Sequence, residues 1–123
     1  MTPQLTSADL RFINLVAARR FTDVPEPRSD DSVLAACLGD ADAATAHERA
    51  ALLAGALVRR HAFAVAPLQT VLLVIHCALV LEGFTVLAPQ GAAVGMLREL
   101  GDGGDPAVLA RWLEDRAVPT ASA

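Results

Sequence analysis

The residue best placed to do chemistry is His61. It follows Arg59 and Arg60 and opens the run His61-Ala62-Phe63-Ala64-Val65-Ala66-Pro67-Leu68-Gln69-Thr70. An imidazole where a helix passes into a loop can serve as a general acid or base near neutral pH. The plainer alternative is a histidine at a helix C-terminus that interacts with the dipole. His76 lies within an apolar stretch, seven residues after Gln69, so both fall on about the same helix face. They could line a pocket beneath His61, or His76 could be a buried histidine satisfied by one hydrogen bond. Arg28 with Asp30 and Asp31 reads either as an Arg–carboxylate cluster or as a solvated helix cap. Phe63 and Trp112 read as core anchors. His47, His61 and His76, with Cys77, fall 14 and 15 residues apart, which matches no compact ligand motif, so no metal site is expected. Cys37 and Cys77 sit in apolar surroundings and read as small hydrophobes without a disulfide framework.

The elements that must position these groups read as helices. Thr6-Ser7-Ala8-Asp9 carries N-cap chemistry for a first helix, which ends before Pro25 and Pro27. Ser29-Asp30-Asp31-Ser32 caps a short helix over Val33–Leu38, stopped by Gly39. Thr45 with Glu48 three residues later forms a capping-box pattern ahead of the apolar run Ala50–Val58. Pro67 is a favoured first residue for an apolar helix over Leu68–Leu81, closed by Gly83. Thr85-Val86-Leu87 is a short extended piece ahead of Pro89, and Ala92–Leu100 is a further helix. Asp105-Pro106 starts the last one, Ala107–Arg116, and Val118–Ala123 is expected to fray. The expected architecture is one all-α domain over residues 1–123, with five or six helices, the two most apolar ones at its centre.

Composition narrows the classes. The chain has 123 residues, 54% of them hydrophobic, with a mean hydropathy of +0.42, which argues for a packed core and against disorder. Every basic residue is Arg, and the net charge is −4, so no electrostatic footprint for nucleic acid or anionic lipid is present. No basic and apolar leader opens the chain, and the richest apolar run, Val71–Leu81, is too short to span a bilayer, so a cytoplasmic protein is expected.

With its parts in order, the stretch from Leu5-Thr6 to Gly83 resembles the Doc (death-on-curing) branch of the Fic family. The opening Leu5-Thr6, the Pro27–Leu34 segment and the Arg49–Arg60 helix are each similar to the corresponding family segment. The loop His61–Thr70 aligns without a gap to a family motif of histidine, proline, phenylalanine, any residue, aspartate, glycine, asparagine, lysine or glycine, arginine and threonine. The resemblance implies a compact helical fold and transfer of phosphate or AMP from a nucleotide to a protein hydroxyl. It gives His61 the role of general base, and Phe63, Thr70 and Gly83 also match the family pattern. The departures are chemical. Val65 stands where the family has its Mg²⁺-binding carboxylate, and valine offers no lone pair to a hard cation. Pro67 has no N–H for the anion nest, and Leu68 and Gln69 replace groups that neutralise phosphate charge. Phosphoryl transfer depends mostly on positioning and charge neutralisation, so ordinary transfer is not expected.

Three readings follow. The first is a binding module that has lost transfer, with a protein partner in a toxin–antitoxin type of setting and no cofactor. The second is a repurposed enzyme that uses His61 as acid or base on a small metabolite, in an apolar pocket of Phe63, Val65, Ala66, Pro67 and Leu68, with Gln69, Thr70 and His76. The third is a working transferase with ATP or another nucleotide and Mg²⁺, its phosphate site rebuilt from Arg28, Arg59 and Arg60. A homodimer is open to any of the three.

Overall fold

The computed structural model describes residues 4–87 and 90–120. The expected all-α architecture holds. Among the described residues six helices run in the order α1 (Ser7–Phe21), α2 (Asp31–Gly39), α3 (Ala46–Arg59), α4 (Pro67–Leu81), α5 (Gln90–Gly101) and α6 (Pro106–Arg116). None is long and apolar enough to cross a membrane among the described residues.

Local chemistry sets the helix starts. Thr6 and Asp9 form a reciprocal capping box on α1: the Asp9 N–H donates to Thr6 Oγ1, and the Thr6 N–H donates to the Asp9 carboxylate. The Asp30 carboxylate accepts from the Ser32 N–H at 2.8 Å and starts α2. Hydrogen bonds from the Ser32 hydroxyl and backbone hold that carboxyl below the ordinary carboxylate range. Thr45 and Asp105 cap α3 and α6 in the same way. Each cap is worth about 1 kcal/mol.

The centre of the fold is α3, which packs against α4, α5, α6 and α2, while α1 lies on α4. Leu53, Ala54 and Leu57 of α3 meet Val71, Val74 and Leu79 of α4 in the buried core. Gly55 is what lets α6 approach closely: a Cβ there would lie 3.3 Å from Pro106 Cγ. The half-buried pair of Arg49 and Glu82 ties the start of α3 to the end of α4, and Arg49 also donates to the Ala43 carbonyl at 2.9 Å.

A small feature departs from the expectation of a frayed tail from Val118. Ala117–Pro119 forms β2, which pairs antiparallel with β1 (Phe84–Val86) in the register Phe84 to Pro119 and Val86 to Ala117. The Thr120 N–H adds a bond to the Gly83 carbonyl at 2.8 Å. The backbone groups of the extended piece after α4 need partners, and the chain leaving α6 supplies them. The last three residues of that expected tail lie outside the described residues, as does Pro89.

The α5–α6 turn is constrained at Gly103 and Gly104. Gly103 has φ +96°, and a Cβ on Gly104 would sit 2.7 Å from the Glu99 carbonyl oxygen, which is backbone and cannot swing aside. Gly104→Ala is therefore expected to lower unfolding stability by about 1–3 kcal/mol in a urea titration. An unchanged midpoint would show that this turn relaxes freely.

Candidate functional site

The segment His61–Ala66 turns the chain between the two central helices. α3 ends in a Schellman motif: the His61 N–H donates to the Val58 carbonyl at 3.2 Å, and the Ala62 N–H donates to the Leu57 carbonyl at 3.1 Å. That motif needs a left-handed residue, and His61 is that residue, with φ 48°. Glycine is the usual occupant, because a Cβ costs about 1–2 kcal/mol in this conformation. Ala62 and Phe63 then turn inward, with Phe63 only 3% exposed. Ala66, at φ 47°, is a second left-handed residue and the N-cap of α4, with Pro67 as the first helical residue.

A residue that the sequence reading passed over holds this loop. Asn14, on the buried face of α1, is 1% exposed. Its amide donates to the Val65 carbonyl at 2.9 Å and to Thr70 Oγ1 at 2.9 Å. Thr70 Oγ1 in turn donates to the Ala66 carbonyl at 2.7 Å. No buried side-chain polar atom among the described residues lacks a partner. The signal available in the sequence was a lone asparagine among Leu10, Ile13 and Ala17 on an otherwise apolar helix face. A polar side chain there needs a partner, but the partner lies 51 and 56 residues away.

The expected site residues therefore divide. Phe63, Ala66 and Thr70 are buried and support the turn. Val65 and Leu68 are half-buried, while Pro67 and Gln69 face solvent. His61 is exposed, and its ring makes no hydrogen bond among the described residues. His76 is also exposed, and the clefts it borders do not include His61. The pair Gln69 and His76 thus does not roof a pocket beneath His61.

The arginines do not gather at the loop. Arg60 pairs with Asp40 at 2.8 Å, which anchors the end of α3 to the end of α2. Arg59 donates to the Gly104 carbonyl and, at 3.5 Å, to the Leu100 carbonyl. Arg28 is exposed in the α1–α2 connection, Asp30 is bonded to Ser32, and Asp31 pairs with Arg11 at 3.2 Å. The groups present do not fit a Mg²⁺–nucleotide. Val65 has no side-chain donor for a cation, its carbonyl is taken by Asn14, and no three His, Cys, Asp or Glu side chains among the described residues converge as a metal site. Comparison with known proteins returns no matching family model, no matching curated protein and no matching solved structure.

A large concave surface lies elsewhere, between α1 and α4. It is a groove of about 710 Å³ whose walls include Phe12 and Val16 of α1 and Leu73, Cys77 and Val80 of α4. Burial pushes the Cys77 thiol above its ordinary pKa, so it stays protonated and unreactive near neutral pH.

Two substitutions test the account of the loop. Asn14→Ala strands the Val65 carbonyl and removes the partner of Thr70, so a loss of about 2–3 kcal/mol is expected on urea unfolding, and Asn14→Asp should cost more by burying a charge against a carbonyl. His61→Gly is expected to raise stability by about 1 kcal/mol in the same titration, because glycine relieves the left-handed strain. A destabilised glycine variant would mean that the imidazole makes contacts worth more than that strain.

Proposed function

We propose that the chain is a Doc/Fic-like helical domain that has lost nucleotide transfer and works as a binding module for a protein partner, in a setting of the toxin–antitoxin type. The observation that carries this reading is that the loop's groups are committed to structure. The Val65 carbonyl and Thr70 hydroxyl are held by Asn14, and Phe63 is in the core. Arg59 and Arg60 are bonded to the α5–α6 turn and to Asp40. What remains at the loop is an exposed imidazole beside arginines that are already bonded elsewhere. A transferring phosphoryl group needs both positioning and charge neutralisation, and loss of even one fixed oxyanion donor costs about 3 kcal/mol of barrier.

The acid/base reading has one observation in its favour. His61 keeps an exposed imidazole at a position where glycine would be more stable, and strain of this kind collects at functional sites. The clefts between α1 and α4 and between α4 and α6 do not reach it, so a substrate pocket around His61 lacks walls in those two grooves.

The test is incubation of the full chain with Mg²⁺ and ATP, or another nucleoside triphosphate, alone and in cell extract. Intact-mass measurement and label transfer from the α- and γ-phosphates are the readouts. No phosphate or AMP adduct is expected, and His61→Ala should behave as the parent does. The imidazole resonances of His61 are expected to stay in place at millimolar nucleotide. An adduct that disappears in His61→Ala would overturn this reading in favour of a working transferase.

A further inference from the structure

The α1–α4 groove is an apolar surface with no covering element among the described residues. Phe12 is 65% exposed, Val16 44%, Val80 42% and Leu81 38%. Together these four side chains leave on the order of 300 Å² of apolar surface open, comparable to the largest patch on a typical monomer. Leu5, Leu73 and Cys77 extend it without interruption. Asp9 and His76 are the titratable side chains on its edge besides the thiol.

The charge pattern along α1 points to one occupant. The outward face of this helix reads Asp9, Phe12, Val16 and Arg19, with Arg20 beside it. At about 100° per residue these positions fall within one stripe, opposite the buried Leu10, Asn14 and Ala17. The stripe is acidic at one end, apolar in the middle and basic at the other. It is also centred. Asp9 and Arg19 lie five residues either side of position 14, and Phe12 and Val16 lie two either side of it. Two copies of α1 laid antiparallel about a two-fold axis at that height bring Phe12 of one copy opposite Val16 of the other. The same operation brings Asp9 opposite Arg19, twice. A two-fold interface must be self-complementary in this way, and a surface evolved for an unrelated helix has no need to be. Asp9 accepts in its capping box through one carboxylate oxygen, and among the described residues Arg19 has one long bond, 3.4 Å, to the Pro25 carbonyl to give up.

We propose that the α1–α4 face is a self-association surface, and that the partner it takes is a second copy of this chain, packed antiparallel on α1 about the level of Asn14. This rests on the binding-module reading above and names the occupant of the module's apolar face. Two such faces bury on the order of 600 Å² of exposed apolar surface from these side chains, and with the polar rim the total reaches the lower end of stable interfaces, about 1,200 Å². An interface of that size and polarity is reversible, with dissociation in the micromolar range.

Sedimentation equilibrium of the full chain, from about 1 µM to about 500 µM, tests it. A reversible monomer–dimer equilibrium is expected, weakened by salt through the two Asp9–Arg19 contacts. Phe12→Glu should raise the dimer Kd by about tenfold or more, as loss of a central aromatic anchor does. Arg19→Glu should raise it as well, and salt should then no longer weaken the dimer. Val108→Glu, at a residue 56% exposed on α6, should leave the dimer intact. Far-UV circular dichroism of each variant confirms that its helices remain. A chain that is monomeric at every concentration overturns the proposal, whatever other partner it binds. So does a dimer indifferent to Phe12→Glu and Arg19→Glu. A dimer that transfers phosphate or AMP would refute the binding-module reading and leave this surface standing, whereas a transfer-silent monomer does the reverse.

Discussion

The fold depends on how Asn14 satisfies the turn between α3 and α4. Two central apolar helices can be antiparallel neighbours only if the chain reverses within a few residues. That reversal forces left-handed backbone at His61 and Ala66 and points a carbonyl, that of Val65, toward the interior. A carbonyl left without a donor there would cost about 1–3 kcal/mol. Asn14 supplies the donor, and its second bond, to Thr70, fixes the first turn of α4. The same two bonds dock α1 onto α4, so one amide sets both the loop and the position of the first helix.

This arrangement has a chemical consequence. A loop at the end of a helix hairpin is a natural place for a reactive site, because its free backbone N–H groups and exposed side chains meet there. In this chain the exits are closed from inside. Proline removes an N–H from the start of α4, asparagine occupies the inward carbonyl, and Phe63 fills the core beneath. The arginines that precede the loop serve packing instead: Arg60 reaches α2 and Arg59 the α5–α6 turn. The loop is held as part of the scaffold, with the His61 imidazole on its outside.

A scaffold of this kind still has to leave surface for function. Part of it lies where α1 and α4 present Phe12, Val16 and Val80 with no layer over them among the described residues. The opposite side of α4 is covered, by α3 over most of its length and by β1 and α5 at its end. Because α3 already has four helical neighbours, the fold's single thick layer of packing lies on its side of the molecule, and the outer face of the α1–α4 pair is where a partner can add apolar burial.

The sequence by itself determined the helices. Their starts were legible because Thr6, Asp30, Thr45 and Asp105 are short side chains whose oxygens reach N–H groups two or three residues on, and Pro67 and Pro106 are preset for a first helical position. These are local interactions, so the order of residues along the chain is enough to read them. The apolar runs of α3 and α4 likewise announced the two central helices, since a helix apolar on most sides has to be buried. What only the tertiary structure decided was where long side chains and unpaired backbone find partners. Asn14 reaches residues 51 and 56 positions away, Arg59 reaches residues 41 and 45 away, and the tail pairs with a strand formed after α4. An arginine or an asparagine can satisfy itself in many ways, and its sequence neighbours do not choose among them. That choice is made by which buried groups the packed helices bring within about 3 Å.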